Sequence, residues 1–587
     1  MNSAAWGTSS MKEALPDSTA EHSTVSINGH GNDAAAAAAP AQQDSKQWIK
    51  PRAYDYTAMD GPDQNSPWDG SAAVYEWDGE GGDVGPEYPD LEVELFGKAE
   101  DRKEGRGVDF TAIAEIEVVQ EGPVKIDRID SFRDAGLHPV MLRNVELAGF
   151  EAPTPIQKYT LPSIHLGYDT IGIAQTGSGK TAAYLIPILS KLMGKAKKLA
   201  APRPNPATYQ EGVDRPYRAE PLVVIVAPTR ELATQIFNEA RKFCYRTMLR
   251  PCVCYGGGPI GEQVRNLGKG CDILVATPGR LLDFMKRPQV LSMSRVRYMV
   301  IDEADEMLQV DWEEEMGYIM SGANQDEGNV RYLLFSATFP KPLRDLAKLH
   351  LAANHVRFRV GRAGSTHGNI KQEVLYVDAN LKRDALTTAL KSIDPCRTIV
   401  FVNSKRTADD LDDYLFNMDM PCTSMHSDRT QAEREAAMRG FRSGEAPILI
   451  TTAVTARGID VRHVRHVINY DLPSMDHGGI EEYIHRIGRT GRIGHRGLAT
   501  SFFTDGDEAI GSVLTRTLLE TNQEIPDFLK HHVPEEGQDL KFEADSDFDP
   551  NEGQGAQDGD AWGSGGNAGW GNEAGNDADA GADAGWM

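Results

Sequence analysis

No apolar run in the sequence approaches the roughly 18 residues that a membrane-spanning helix needs. The longest lies near Leu222 to Ala227, so no membrane partner is expected. The N-terminus has no basic segment leading into an apolar stretch, and its first arginine is Arg52. Neither a secretory signal nor an Arg-rich transit peptide is therefore expected, and the predicted location is cytoplasmic, with shuttling to the nucleus. Cysteine is scarce. The six residues at 244, 252, 254, 271, 396 and 422 form no disulfide framework, and Cys252-Val253-Cys254 has no second pair at zinc-ligand spacing. They read as reduced, mostly buried thiols. Tryptophan is nearly missing from the centre, where Trp312 stands alone among the eight. An excess of positive charge is missing too: 61 Lys and Arg face 87 Asp and Glu, a net of −26 that taken alone argues against a polyanionic partner.

That argument fails once the charge is located. Residues 1–107 hold 20 acids and 8 bases, and residues 535–587 hold 14 acids against Lys541, leaving 53 acids and 52 bases between them. A near-neutral centre with that many bases can hold a basic groove, so nucleic acid stays open. The terminal segments are rich in Gly, Ala, Asp and Ser with no sustained apolar period, and read as disordered acidic tails. Their tryptophans, at 6, 48, 68, 77, 562, 570 and 586, are either docking motifs for protein partners or compositional drift.

Between the tails, short apolar runs alternate with helical segments. Thr170 to Ala174, Leu222 to Ala227, Asp272 to Ala276, Tyr298 to Ile301 and Tyr332 to Phe335 predict buried strands of a mainly parallel sheet. Arg230 to Phe243 and Leu343 to Leu351 predict helices. The Gly-rich stretch Val360 to Ile370 reads as a linker. A second strand set follows at Glu373 to Val377, Thr398 to Val402, Ile448 to Thr452, Val464 to Asn469 and Ala499 to Phe503. Two α/β domains in tandem are the expected architecture. Lys195 to Glu220, basic and then Pro-rich, reads as a surface insertion too irregular for core structure.

The chemistry starts at Ala174-Gln175-Thr176-Gly177-Ser178-Gly179-Lys180-Thr181, after a strand pattern and before a helix pattern. Glycines there let backbone N–H groups wrap phosphate oxygens, Lys180 reaches the β and γ phosphates, and Thr181 is a Mg²⁺ ligand. Ala174 stands where the general pattern has Gly. Asp302-Glu303-Ala304-Asp305 follows a strand pattern, at the edge where open α/β sheets bind ligands. Asp302 is placed to hold the metal and Glu303 to polarise an attacking water, although acids at a helix start are unremarkable by themselves. In the second domain, Arg486, Arg489 and Arg492 recur every third residue and project to a common side, where they can neutralise charge on a γ phosphate.

These motifs in register resemble the DEAD-box ATP-dependent RNA helicases, closest to the Vasa and translation-initiation branch. The resemblance spans roughly Ser131 to His531. It is carried by Phe150 with Pro153 to Gln157, the phosphate loop, Pro228 to Leu232, Gly257-Gly258, Thr277 to Arg280, Asp302 to Asp305 and Ser336 to Thr338. In the second half it continues through Val400 to Ser404, Gln431 to Arg434, Thr452 to Asp460 and His485 to Arg492. It implies two RecA-like domains at 108–359 and 372–534, a linker at 360–371, and tails at 1–107 and 535–587.

The resemblance further implies that Phe150 stacks on adenine while Gln157 bonds its edge, and that Asp460 meets the ribose. Arg489 and Arg492 would be the fingers, with Arg486 structural. Ser336 and Thr338 would bond toward Asp305 and couple nucleotide to RNA, and Mg²⁺ would be held by Thr181 and Asp302 largely through water. RNA contacts would come from Thr229, Arg230, Gly257, Gly258, Thr277, Gly279, Arg280, Gln431, Arg434 and Thr452, with backbone recognition and little sequence preference. Gly257 and Gly258 also read simply as a tight turn.

The segment Ser474 to Tyr483 is about four residues longer than the family spacing and reads as a surface loop. The acidic tails depart from the basic tails of relatives and are expected to compete with RNA for the groove. The activity implied is RNA-stimulated ATP hydrolysis with local duplex opening, in translation initiation or mRNA processing. The alternative is an ATP-gated RNA clamp for ribonucleoprotein assembly. A P-loop metabolic kinase would have neither a second α/β domain nor a terminal arginine helix.

Overall fold

The computed structural model describes residues 48, 51, 84–98, 116–193, 195, 199, 201, 217–308, 312–322, 330–361, 369–456, 461, 463–491 and 496–533. Two sheets organise them. The first has eight strands: β1 (Val118–Glu121), β2 (Thr170–Ile173), β3 (Val223–Val226), β4 (Pro251–Cys254), β5 (Ile273–Ala276), β6 (Tyr298–Asp302), β7 (Arg331–Ser336) and β8 (Val356–Val360). They lie in the order β1-β8-β2-β7-β6-β3-β5-β4, parallel except for β1 on β8. The second sheet is parallel throughout, in the order β11-β12-β10-β13-β14-β9. Its strands are β9 (Ile370–Tyr376), β10 (Arg397–Val402), β11 (Cys422–Met425), β12 (Ile448–Thr452), β13 (Val464–Asn469) and β14 (Gly497–Phe503). These are two RecA-like α/β domains in tandem.

Parallel strands covered by helices on both faces bury every residue, which is why β2, β3 and β5 read as unbroken apolar runs. Alternate side chains of β3 and β5 enter different cores: Val223, Ile225, Ile273 and Val275 face one, Val224, Val226, Leu274 and Ala276 the other. Helix Arg230–Phe243 starts where Thr229 Oγ1 accepts from Leu232 N at 3.2 Å, and it buries Leu232, Ile236, Phe237 and Phe243. The capping box of Thr430 and Glu433 starts helix Gln431–Ser443 in the same manner.

Three expectations are corrected. The disordered acidic tail expected at 1–107 does not extend through its last stretch, where Pro89–Phe96 is a helix whose Leu91 and Leu95 bury against Leu147 and Tyr245. Two leucines four residues apart cover one face of a two-turn helix, too short a pattern to register as a period. Trp48 also packs on the second domain, on the core that includes Leu386, Leu411 and Leu415. The insertion's last residues are not irregular surface: Ala219 is buried and bridges Leu291, and Glu220 pairs with Arg295 at 2.7 Å. At the linker, Val360 closes β8 and Ile370 opens β9, buried beside β14. Ile370 supplies an edge partner for Gly497, a long-range pairing that composition does not reveal. Most of both tails, the insertion's centre and residues 362–368 lie outside the described residues.

Candidate active site

Sheet order divides the candidate residues into two sets. The C-terminal ends of β2, β7 and β6, three neighbours, carry the phosphate loop, Ser336 to Thr338 and Asp302 to Asp305. The ends of β3, β5 and β4, the next three, carry Thr229 and Arg230, Thr277 to Arg280, and Gly257 and Gly258. One edge of one sheet thus holds both sets side by side, as the crossover topology of open α/β sheets dictates.

In the first set Lys180 is buried at the head of helix Lys180–Met193, with Nζ donating to the Ala174 carbonyl oxygen at 2.5 Å. Burial depresses its pKa, opposed by Asp302, Asp305 and Glu303 and reinforced by Arg489 of the other domain. Asp302 is buried, and loss of hydration raises its pKa against the pull of Lys180. Its carboxylate accepts from Tyr184 Oη at 2.9 Å and from the Glu303 amide at 3.0 Å. Glu303, in left-handed backbone with φ 50°, has its carboxyl pushed up to about 7 by lost hydration, against the attraction of Arg489. Asp305 Oδ2 accepts from Thr338 N and Thr338 Oγ1, both at 2.9 Å, and from Ala337 N at 3.2 Å. Ser336 Oγ in turn accepts from the Asp305 amide at 3.2 Å.

Gln157 and Phe150 are engaged within the protein. Gln157 is fully buried, its Oε1 accepting from Thr154 N at 3.0 Å and its Nε2 donating to the Gly179 carbonyl at 3.0 Å. It therefore caps its own helix and holds the phosphate loop. Phe150 packs edge-on to Phe132 at 6.3 Å and against Phe243 at 6.1 Å.

The loop suits a triphosphate and a hard cation. Gly177 and Gly179 have φ of 79° and 87°, and a Cβ on Gly179 would strike Gln157 Nε2 at 2.6 Å. Ser178 Oγ and Glu303 Oε2 are buried side-chain atoms with no hydrogen bond within the protein. Thr181 and Asp302 supply oxygens only, the donor type Mg²⁺ takes, and the bound ion would neutralise charge on phosphate oxygens.

From the second domain, helix Gly479–Ile487 delivers Arg489, buried, with Nε donating to the His485 carbonyl at 3.0 Å. Arg486 stays inside its own domain, bonding Glu482, the Asp471 carbonyl and Asn403 at 2.8–3.0 Å over the Phe401 ring. The long segment before the helix is exposed at Ser474 to Asp476. Asp460 and Arg492 lie outside the described residues.

The RNA candidates also meet across the domains. Arg230 Nη1 donates to Gln431 Oε1 at 3.3 Å, and Arg434 pairs with Glu231. Gly257 has φ 80°, and a Cβ there would lie 2.4 Å from Arg230 Nη1, so this turn seats the guanidinium. Gly258 lies against Tyr255 and Gln263. Thr277 begins helix Pro278–Met285, in which Gly279 faces open space and Arg280 lies 5.5 Å over Phe284. The Thr452 hydroxyl lies 3.0 Å from that of Thr455.

Three participants escaped sequence reasoning: Tyr184 on Asp302, Glu231 on Arg434, and the buried pair of His485 Nδ1 with Glu306 at 2.5 Å. Glu306 stood in plain view as the fourth acid of the run that starts at Asp302, but its partner is 179 positions away and no spacing rule links them.

Comparison with known proteins agrees with this geometry. The DEAD/DEAH box helicase profile matches residues 154–346, and the helicase conserved C-terminal domain profile matches residues 381–494. S. cerevisiae Dbp5 bound to RNA and ADP BeF3 is 29% identical, with 68% of this chain and 95% of that chain covered at a TM-score of 0.57. A DEAD box protein from the hyperthermophile Methanococcus jannaschii is 32% identical over 68% of this chain and 99% of its own, at a TM-score of 0.40. Chaetomium thermophilum Prp28 bound to ADP is 30% identical over 74% and 97%, at a TM-score of 0.35. The chain belongs to the DEAD-box helicase family. It is an ATP-dependent RNA helicase, a hydrolase of ATP that uses ATP with Mg²⁺.

Proposed function

We propose that this enzyme closes its two domains on ATP and the RNA backbone, opens duplexes locally, and releases them on hydrolysis. One observation carries the reading: the phosphate loop touches the arginine segment of the second domain, Thr176 Oγ1 donating to the Gly488 carbonyl at 3.5 Å, which places Lys180, Asp302 and Glu303 in the field of Arg489. Groups divided between two lobes act together only when the lobes are closed, so hydrolysis and closure are thermodynamically linked. In that state Lys180 binds the β and γ phosphates, Glu303 orients the attacking water and takes up its proton, and Arg489, with Arg492, offsets charge on the γ phosphate. Asp305, held by Ser336 and Thr338, joins this site to the neighbouring strand ends where RNA would lie. Helix starts and a few arginines there suit phosphate and ribose, so sequence preference would be weak.

The RNA-bound state of Dbp5 supports RNA as the partner. The motif resemblance supports a role in translation initiation or mRNA processing, in the cytoplasm with shuttling to the nucleus. Protein partners would dock through the Trp-bearing tails. The buried His485–Glu306 pair favours one further reading, a long-lived ATP-gated clamp on RNA, because it adds a closure contact that hydrolysis does not require. ATP turnover compared with complex lifetime on single-stranded RNA separates the two.

Glu303→Gln should leave ATP and RNA binding intact while lowering turnover by roughly a few orders of magnitude, and Arg489→Ala should do the same. RNA-stimulated hydrolysis in single-turnover assays reads both. Turnover near wild type in Arg489→Ala would show that the second domain does not complete the site.

A further inference from the structure

One cluster of ligating side chains takes no part in this chemistry. It lies in the second domain, where helix Glu508–Glu520 packs on the 3-10 helix Asp527–His532. Leu529 of the short helix is fully buried in the same core as Leu514 and Leu518, so the two elements are held in register. Glu508 begins the long helix, and His531 and His532 end the short one.

The Nε2 atoms of His531 and His532 each lie 3.0 Å from a single oxygen, Glu508 Oε1. All three candidate ligand atoms fall within 4.8 Å of one another. The rings are tilted, centroids 3.9 Å apart and planes 40° apart, and both Nε2 atoms reach the same carboxylate oxygen. They do not converge in the same manner. His531 Nε2 is within hydrogen-bonding geometry of the carboxylate, whereas His532 Nε2 is closed to solvent and makes no aligned hydrogen bond despite its distance. A ring nitrogen that nears a carboxylate off the line of its N–H gains little as a donor, and stands where a metal ligand would. Room for it comes from the opposite helix, because a Cβ on Gly511 would lie 2.5 Å from His532 Nε2.

We propose that Glu508, His531 and His532 form a binding site for a late first-row divalent cation, zinc foremost. Two imidazoles with one carboxylate is a ligand set zinc accepts with a fourth position open to water. Tetrahedral ligands about 2.0–2.2 Å from zinc stand about 3.3–3.6 Å from one another, so each His–Glu spacing of 3.0 Å needs to open by about 0.3–0.6 Å. Imidazole selects such ions over Mg²⁺ and Ca²⁺, which separates this site from the nucleotide's cation. Bound there, the ion would tie the last described helix of the domain to Glu508–Glu520, next to the acidic tail.

The full-length, metal-free protein should bind about one zinc ion per chain with micromolar or tighter affinity, measured by competition with a chromophoric chelator in the absence of nucleotide. Binding should weaken at low pH as the imidazoles protonate. His532→Ala and the near-isosteric Glu508→Gln should each weaken it roughly tenfold or more while leaving RNA-stimulated ATP turnover unchanged. Zinc should raise the Tm of the wild-type chain and of neither variant. Equal zinc affinity in wild type and both variants, or no wild-type binding below millimolar zinc, would overturn the assignment.

Discussion

Glu303 adopts left-handed backbone, φ 50°, in a position where a non-glycine residue costs roughly 1 kcal/mol. On either side of it, Asp302 accepts from Tyr184 and Asp305 from Thr338. Of these three acids, Asp302 and Asp305 accept from different partners, and only Glu303 keeps a carboxylate oxygen that bonds nothing in the protein. His485 shows the opposite balance. Burial works to discharge its ring, but Glu306 at 2.5 Å, aided by Asp305 and Glu482, outweighs that and pushes the pKa up to about 9 from the ordinary 6.5. Glu482 belongs to the same helix as His485, but Glu306 and Asp305 reach the ring only when the domains meet, so closure raises its pKa and takes up a proton. The contribution to closure is complete below pH 6.5 and is lost as pH rises through about 9. RNA affinity with a non-hydrolysable ATP analogue should fall across that window, and His485→Gln should flatten the profile. An unchanged profile would show that the pair does not contribute to closure.

At the scale of elements, the helix Pro89–Phe96 is the clearest addition to the two sheets. It is capped at its C-terminus by Gly97, whose N–H bonds the Val93 carbonyl, and Arg246 pairs with Glu87 at 2.6 Å beside it. Its attachment rests on Leu91, Leu95 and the Tyr245 ring, with Phe96 edge-on to that ring at 5.8 Å. Leu95→Ala should cost about 2 kcal/mol of local stability, the low end for a buried leucine. Hydrogen exchange at the amides of residues 91–97 should rise while ATP turnover stays at wild type. The strand runs Thr170–Ile173, Val223–Val226 and Ile273–Ala276 were legible because a strand buried on both faces is apolar throughout. β1 and β8 were not, since Val118–Glu121 and Val356–Val360 mix charged residues with valines near the sheet margin, and the edge strands β4 and β11, PCVC and CTSM, carry too few large apolar residues to form a run.

For the whole molecule, the charge division is the dominant fact: a near-neutral body between acidic ends. Residues 535–587 carry 14 acids and one base, and leave the second domain beyond His532. A polyanion tethered to the enzyme would compete with RNA phosphate for the same arginines, and salt would screen that competition. Deleting residues 535–587 should therefore tighten RNA binding at low salt, with the difference shrinking as salt is added. Unchanged affinity at low salt would exclude competition by the tail.

Sequence alone determined the two-domain α/β architecture, the phosphate loop, the acids after β6 and the arginine run, because each depends on residues adjacent in the chain. Loop curvature needs Gly177 and Gly179, and a strand end can present Asp302 and Glu303 only as neighbours. Tertiary structure decided what joins distant segments: Tyr184 on Asp302, Gln157 on the Gly179 carbonyl, Arg230 on Gln431 and His485 on Glu306. Such pairs form where sheet order and domain closure bring remote strand ends together, and nothing in local spacing encodes that distance.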